Sequence, residues 1–362
     1  MLKTMFAGWL GLMFMLMLGS SIAFAEPVRY KIVTGPERGT YIQIGQDLAK
    51  WVADPIGIDL EVMPSKGSAE NVLRMRYEPG VKLALVQSDV YQAFVDMAKA
   101  GNPDADATIK PLRLIMPLYN EEIYFVVRSD SPMHTINEIK DKKISVGLIG
   151  SGTAQSATTL YRLMFGEPIP TENAQHLSNE DALAALIVRK IDVAIVVAGQ
   201  PAKLFTDMNP DLLSQIKLLK FNPSASESVR AQQTYFPATI RAANYPNWLK
   251  EDSPTLTVKA FLVTYDYSLR GTVADLTRFA DSLCTNFDSL QEHGHPKWKQ
   301  VKLELPNLGK GWQYYAPVAK HLRACFARRA EATRNAESEQ TAVKKQPQPA
   351  CTDQARLLLL CK

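Results

Sequence analysis

Val146-Gly-Leu-Ile-Gly-Ser-Gly-Thr-Ala-Gln-Ser-Ala-Thr-Thr-Leu-Tyr-Arg-Leu-Met-Phe165 puts an apolar strand, a glycine-rich turn with two hydroxyls and a helix into one run. Glycines at a strand-to-helix junction let the backbone approach a ligand, and the free N–H groups of a helix's first turn attract anions. Phosphate and carboxylate are the candidate occupants, although hydroxyls and glycines also cap helices that hold nothing. The plan recurs upstream. Residues 29–33 read as a short strand leading into Thr34-Gly-Pro-Glu-Arg-Gly-Thr-Tyr41, after which Ile44, Leu48 and Trp51 mark one face of a helix.

A second echo is clearer. Ser68-Ala-Glu-Asn-Val-Leu-Arg-Met reads as a helix followed by a turn and the strand Leu83-Ala-Leu-Val-Gln-Ser-Asp89. Its counterpart is the helix Asn179-Glu-Asp-Ala-Leu-Ala-Ala-Leu-Ile, then a turn and the strand Val193-Ala-Ile-Val-Val-Ala-Gly-Gln200. Strands alternating with helices predict a largely parallel sheet, in which ligands collect at the carboxyl ends of strands. Gln87, Ser88, Gly199 and Gln200 stand at such ends. Two copies of the plan predict an α/β protein of two lobes facing each other across a cleft, with the long apolar strands at 114–128 and 257–264 crossing between them as a hinge.

The bulk properties bound the partners. Met-Leu-Lys is followed by an apolar run over 5–18 and by Ala23-Phe24-Ala25 ahead of Glu26, which reads as a cleaved secretory signal over residues 1–25. An uncleaved anchor is the alternative, but the run is shorter than the ~20 residues a spanning helix needs. No later segment is apolar enough to cross a bilayer, so the expectation is a soluble protein of the periplasm. The formal charge of the whole chain is +4, and from Arg328 onward seven Lys or Arg face four Asp or Glu. The body is therefore near neutral, which argues against nucleic acid as a partner.

Four cysteines, Cys284, Cys325, Cys351 and Cys361, all lie in the last quarter of the chain. Four thiols in an oxidising compartment allow three pairings. Cys284 with Cys325, both on expected helices of the body, and Cys351 with Cys361 in the tail is the pairing favoured here. Their spacing fits no common zinc pattern, and the nearest histidine pair, His293-Gly-His295, sits in a polar loop, so no metal and no cofactor are expected. Beyond Phe326 the composition turns polar and charged and then Gln- and Pro-rich, which reads as a helix extension running into a flexible tail over 328–362.

Catalytic patterns fail. Ser151 lacks the Gly-x-Ser-x-Gly elbow, the glycines at 147, 150 and 152 reverse the dinucleotide spacing, and no phosphate-loop Gly-Lys-Ser/Thr occurs. Taken one at a time, Tyr41, Tyr119 and Tyr235 read as packing residues.

The order of the pieces carries more. Thr34-Gly…Gly39-Thr-Tyr41, Gly67-Ser-Ala-Glu-Asn71, Val86-Gln-Ser-Asp89, Leu118-Tyr-x-Glu121, Val146-Gly…Gly150-Ser-Gly-Thr153, Ala198-Gly-Gln-Pro201 and Tyr235-Phe-Pro-Ala-Thr-Ile240 together resemble the TAXI family of solute-binding proteins, the extracytoplasmic receptors of one class of tripartite ATP-independent periplasmic (TRAP) transporters. The resemblance runs from about 30 to 317. It implies a two-lobed, type II periplasmic-binding-protein fold with a ligand cleft between the lobes. Lobe I would comprise 26–120 plus 262–327, and lobe II 121–261. It implies a monomeric receptor, not an enzyme, that captures a small carboxylate such as a glutamate-like amino acid or a dicarboxylate and hands it to ion-gradient-driven TRAP membrane subunits.

Transferred position by position, the resemblance makes Tyr41, Asn71, Gln87, Ser88 and Tyr119 ligand-binding candidates on the first lobe and hinge, with Ser151, Gly152, Thr153 and Gly199 from the second. Two features depart from the family pattern. Pro36-Glu-Arg38 intrudes into a first turn that is usually richer in glycine, which places a cation at the cleft rim. The tail is the other departure, and it suggests a competing role as a ligand-sensing module that reports to a membrane signalling protein.

Overall fold

The computed structural model describes residues 28–344 other than 38, 233, 309 and 310. The expected leader, Arg38 and the cysteines at 351 and 361 lie outside the described residues. Among the described residues, ten strands make one continuous sheet: β1 (Val28–Val33), β2 (Ile58–Met63), β3 (Val81–Gln87), β4 (Leu112–Arg128), β5 (Ile144–Ser145), β6 (Ala174–Gln175), β7 (Val193–Ala198), β8 (Ile216–Leu218), β9 (Phe236–Ile240) and β10 (Ser253–Tyr265). Their order is β2-β1-β3-β10-β4-β7-β5-β6, with β8 added on β4 and β9 on β10.

The sheet contains the same unit twice. In the first half β2, β1 and β3 run parallel, and β10 closes the unit antiparallel to β3. In the second, β6, β5 and β7 run parallel and β4 closes it antiparallel to β7. The closing strands are the two longest, and they pair with each other. β4 begins beside β10 and ends beside β7 and β8, while β10 begins beside β9 and ends beside β3. Each therefore passes from one half to the other. This is the two-lobed type II binding-protein architecture, with the hinge made of sheet.

Among the described residues, twelve α-helices cover both faces: α1 (Thr40–Leu48), α2 (Ser68–Tyr77), α3 (Val90–Lys99), α4 (Pro103–Ile109), α5 (Gly152–Phe165), α6 (Asn179–Ile187), α7 (Lys203–Thr206), α8 (Pro210–Leu213), α9 (Ser226–Ala231), α10 (Arg270–Thr285), α11 (Phe287–His293) and α12 (Ala316–Lys344). Because parallel strands are covered on both faces, they read as continuous apolar runs rather than alternating ones, as β3 and β7 do. In lobe I, Ile44, Leu48, Leu283 and Leu322 from α1, α10 and α12 pack on one face, and Val72, Phe94 and Ile109 from α2, α3 and α4 on the other. In lobe II, Leu160 and Met164 of α5 cover one face, while Leu183 and Leu186 of α6 join Phe205, Tyr245 and Trp248 on the other.

A disulfide joins Cys284 of α10 to Cys325 of α12 and fastens α12 to the body. The His293-Gly-His295 turn has a packing job. His293 stacks on Trp51, and the His295 backbone N–H and the Trp298 indole both donate to Asp47 of α1, at 2.7 and 2.8 Å.

The strand of the 146–165 stretch differs from its sequence reading. It is Ile144–Ser145, and Val146-Gly-Leu-Ile is not strand. Gly147 adopts φ +88° and turns the chain out of the sheet, so Leu148 and Ile149 form a tip that is 39% and 70% exposed. A side chain at 147 would also stand 2.9 Å from Thr153, so the turn requires glycine twice over.

Candidate functional site

Four helices of lobes I and II point their N-termini into one cavity of about 480 Å³. Its wall includes Gly39-Thr-Tyr41 at the start of α1, Gly67-Ser68 at the start of α2, Ser151-Gly-Thr153 at the start of α5 and Ser178-Asn-Glu180 at the start of α6. α1 and α2 begin after glycines and have no side-chain cap, whereas α5 and α6 are capped by the hydroxyls of Ser151 and Ser178. First-turn N–H groups lack helical partners and carry the positive end of the helix dipole. Four such ends around one space make a field that favours an anion.

The α5 end is built in detail. The Ser151 hydroxyl accepts from Ala154 N–H at 3.0 Å, and the Thr153 hydroxyl accepts from Val197 N–H at 3.3 Å. Each hydroxyl keeps its own proton to donate. Gly152 faces Gln87 of lobe I so closely that a Cβ there would come within 2.2 Å of the Gln87 Oε1.

One buried carboxyl, among the described residues, sits on the cavity wall among these donors. Glu121 of β4 is buried and accepts from the Tyr41 hydroxyl at 2.7 Å. Burial lifts its pKa to about 7, against the pull of the Tyr41 hydrogen bond and the Lys297 charge. Its neighbour Glu122 points to the opposite face of the strand, where it accepts from Gln200 N–H at 3.0 Å and from the Lys297 ammonium at 3.4 Å. Lys297 is 0% exposed and also donates to the Asn120 carbonyl at 2.9 Å and to Gln300 at 3.0 Å. Burial pulls its pKa down, and the two glutamates oppose that.

The lobes touch directly beside the cavity. Asp89, just after β3, accepts from Gln155 at 3.2 Å and Ser156 at 2.6 Å on α5 and from the Tyr235 hydroxyl at 2.9 Å. Its pKa is raised by burial, against those three hydrogen bonds. Glu70 N–H of α2 donates to the Gly150 carbonyl at 3.2 Å, and Arg162 of α5 pairs with Asp96 of α3.

The sequence-derived candidates divide accordingly. Tyr41, Gln87, Ser151, Gly152 and Thr153 line the cavity together. Asn71, Ser88, Tyr119 and Gly199 are not on its wall. Asn71 is a buried strut: its amide donates to the Thr34 and Leu85 carbonyls, at 2.5 and 2.7 Å, and its oxygen accepts from Ser65 at 2.6 Å. Ser88 exchanges hydrogen bonds with the Lys259 backbone. Tyr119 is buried behind Glu121, with its ring 5.6 Å from the Lys297 ammonium. Gly199 makes room for the Lys297 stem, which would lie 2.6 Å from a Cβ there.

Three residues escaped the sequence reading. Glu121 carried a signal, being a carboxylate inside an otherwise apolar strand, in the Leu118-Tyr-x-Glu121 segment. Asp89 closes a quoted segment but gives no hint of its three partners. Lys297 carried none, since its acidic partner lies 175 residues away.

Among solved structures, the chain is similar to the periplasmic binding protein BugD (12% identity over 85% of this chain and 97% of that one, TM-score 0.47). It is also similar to a histidine kinase sensor domain likened to periplasmic binding proteins (13% identity, 76% and 98%, TM-score 0.47). A third is the Corynebacterium glutamicum OxyR C206 mutant (13% identity over 74% of this chain, TM-score 0.42), of which the chain spans 66%. None of these likenesses bears on ligand or partner. Among the described residues no helix is long and apolar enough to cross a membrane, and no cluster of ligating side chains suits a metal ion. Residues 32–311 match the model of one family, and the chain belongs to that family, the NMT1-like family.

Proposed function

We propose that the chain is an extracytoplasmic solute receptor of the TAXI kind. In this reading it is exported by its leader to the periplasm, captures a small carboxylate there and delivers it to ion-gradient-driven TRAP membrane subunits. The observation that carries the reading is the convergence of four helix N-termini on one interlobe cavity. Such a field selects an anion, and placing contributions from both lobes lets the bound anion favour the closed form. The ligand carboxylate accepts from the backbone N–H groups of Gly152 and Thr153 and from the hydroxyls of Ser151 and Thr153. Gln87 and Tyr41 face it from lobe I. Asn71, Ser88, Tyr119 and Gly199 hold that frame from behind. An amino acid additionally places its ammonium near Glu121, whose carboxyl ionises readily beside a cation. No step of bond-making is assigned to the site.

Native mass spectrometry of freshly purified protein should find a retained carboxylate of unchanged chemistry. Thr153→Ala removes one hydroxyl donor to a charged partner, which is worth about 1.5 to 3 kcal/mol, or roughly ten- to hundredfold in affinity by calorimetry. Unchanged affinity in this variant would reduce the α5 turn to a capped helix without a ligand.

A further inference from the structure

Away from the helix ends, the cavity continues into lobe II between α6 and the α7–α8 corner. Positions 180, 183, 184 and 187 lie on one face of α6 and all reach it. Leu183 and Ile187 from α6, Leu177 just before it, Val197 of β7, and Leu204 and Met208 opposite make this part apolar. Among the described residues, the charged side chains on the cavity wall are Lys66, Glu180, Lys203 and Asp207, which are exposed and balance in sign, and Glu121, which is buried at the polar end. Among the described residues, the branch thus offers a second carboxylate no buried cation. At about 480 Å³ the whole space is of the size that holds drug-sized ligands rather than the smallest metabolites.

We infer that the solute is a monocarboxylate with an apolar body, aliphatic or aromatic, whose acid group sits at the four helix ends and whose body fills the branch between α6 and α7–α8. This rests on the carboxylate reading above and narrows it away from dicarboxylates and glutamate. Burying a methylene is worth enough to tighten binding about fourfold.

Calorimetric titration of the full chain with butanoate, hexanoate, octanoate, succinate and glutamate tests it. The expected result is roughly fourfold tighter binding for each added methylene, with octanoate at least tenfold tighter than succinate or glutamate. Met208→Asp should weaken octanoate at least tenfold and flatten the dependence on chain length. Val188→Asp, at an exposed position off the cavity wall, should keep that dependence. Succinate or glutamate binding as tightly as octanoate, with no dependence on chain length, overturns this inference and leaves the carboxylate reading standing. Failure of all five acids to bind removes the carboxylate reading and this one with it.

Discussion

Gly67→Ala adds one methyl group where the two lobes meet. Gly67 caps α2 at φ +127°, and a Cβ built on it would stand 2.9 Å from the Gly152 backbone nitrogen and 3.6 Å from the Ser151 Cα. Ordinary contact begins at 3.4 Å, and the obstacle is the backbone of α5, which cannot rotate aside. The lobes must therefore part by roughly half an ångström at a point flanked by the Glu70–Gly150 bond and the three hydrogen bonds to Asp89. At about 1 kcal/mol for a neutral bond and 1.5–3 for one to a carboxylate, weakening this set lowers the opening free energy by about 3 kcal/mol, roughly a hundredfold in the opening equilibrium. Hydrogen exchange at the α5 amides then accelerates by up to that factor, and small-angle scattering shows a larger radius of gyration. Backbone strain alone is controlled by Gly101→Ala, at φ +95° with nothing within 4 Å. That variant loses stability through strain of about 1–3 kcal/mol but keeps the wild-type scattering profile. If Gly67→Ala matches wild type in both scattering and exchange, or if Gly101→Ala opens equally, the interlobe contact is not where the structure places it.

Glu121 should make stability fall as pH rises. Its folded pKa of about 7 exceeds the ordinary 4.5, so its contribution is complete below 4.5, is lost as pH rises through 7, and amounts to about 3 kcal/mol. Urea titrations at pH 4.5 and 8 should show this decline in wild type reduced by that amount in Glu121→Gln, and identical pH profiles would refute the burial argument. Lys297→Met leaves Glu122 buried without its ammonium and should destabilise by about 3–5 kcal/mol, with Glu122→Gln added to it recovering a substantial part. A loss under 1 kcal/mol in urea unfolding would mean the lysine is not paired in solution. Replacing Cys284 and Cys325 by serine frees a loop of 41 residues in the unfolded chain and should lower stability by about 4 kcal/mol, visible as a lower denaturation midpoint.

Much of the fold was legible because its signals are local. The alternation of apolar strands with amphipathic helices, its repetition, and the two long crossing strands depend on patterns within ten to twenty residues. So does the α5 start, where Ser151 caps its own helix. The one strand placed too late shows the limit of that reading. Leu148 and Ile149 count as strand by hydropathy, yet the left-handed turn at Gly147 puts them at an exposed tip.

Part of the cavity wall was legible for the same reason. Tyr41, Gln87, Ser151, Gly152 and Thr153 sit at strand ends and helix starts, and a parallel α/β topology brings such positions to one cleft. Asn71 has the look of a ligand contact, but the Thr34 and Leu85 carbonyls use its amide donors.

By itself, then, the sequence determined the α/β class, the doubled plan, the hinge strands and the anion-favouring helix ends, since each follows from backbone preferences and periodicity along a short run. Only the tertiary structure decided that Tyr41 hydrogen-bonds Glu121 across 80 residues, that Asp89 meets Tyr235 across 146, and that Lys297 is buried against Glu122. It also decided that α6 and the α7–α8 corner enclose an apolar branch. These pairings depend on how two lobes close on each other, and a carboxylate or a leucine carries no mark in sequence of the partner that closure will bring to it.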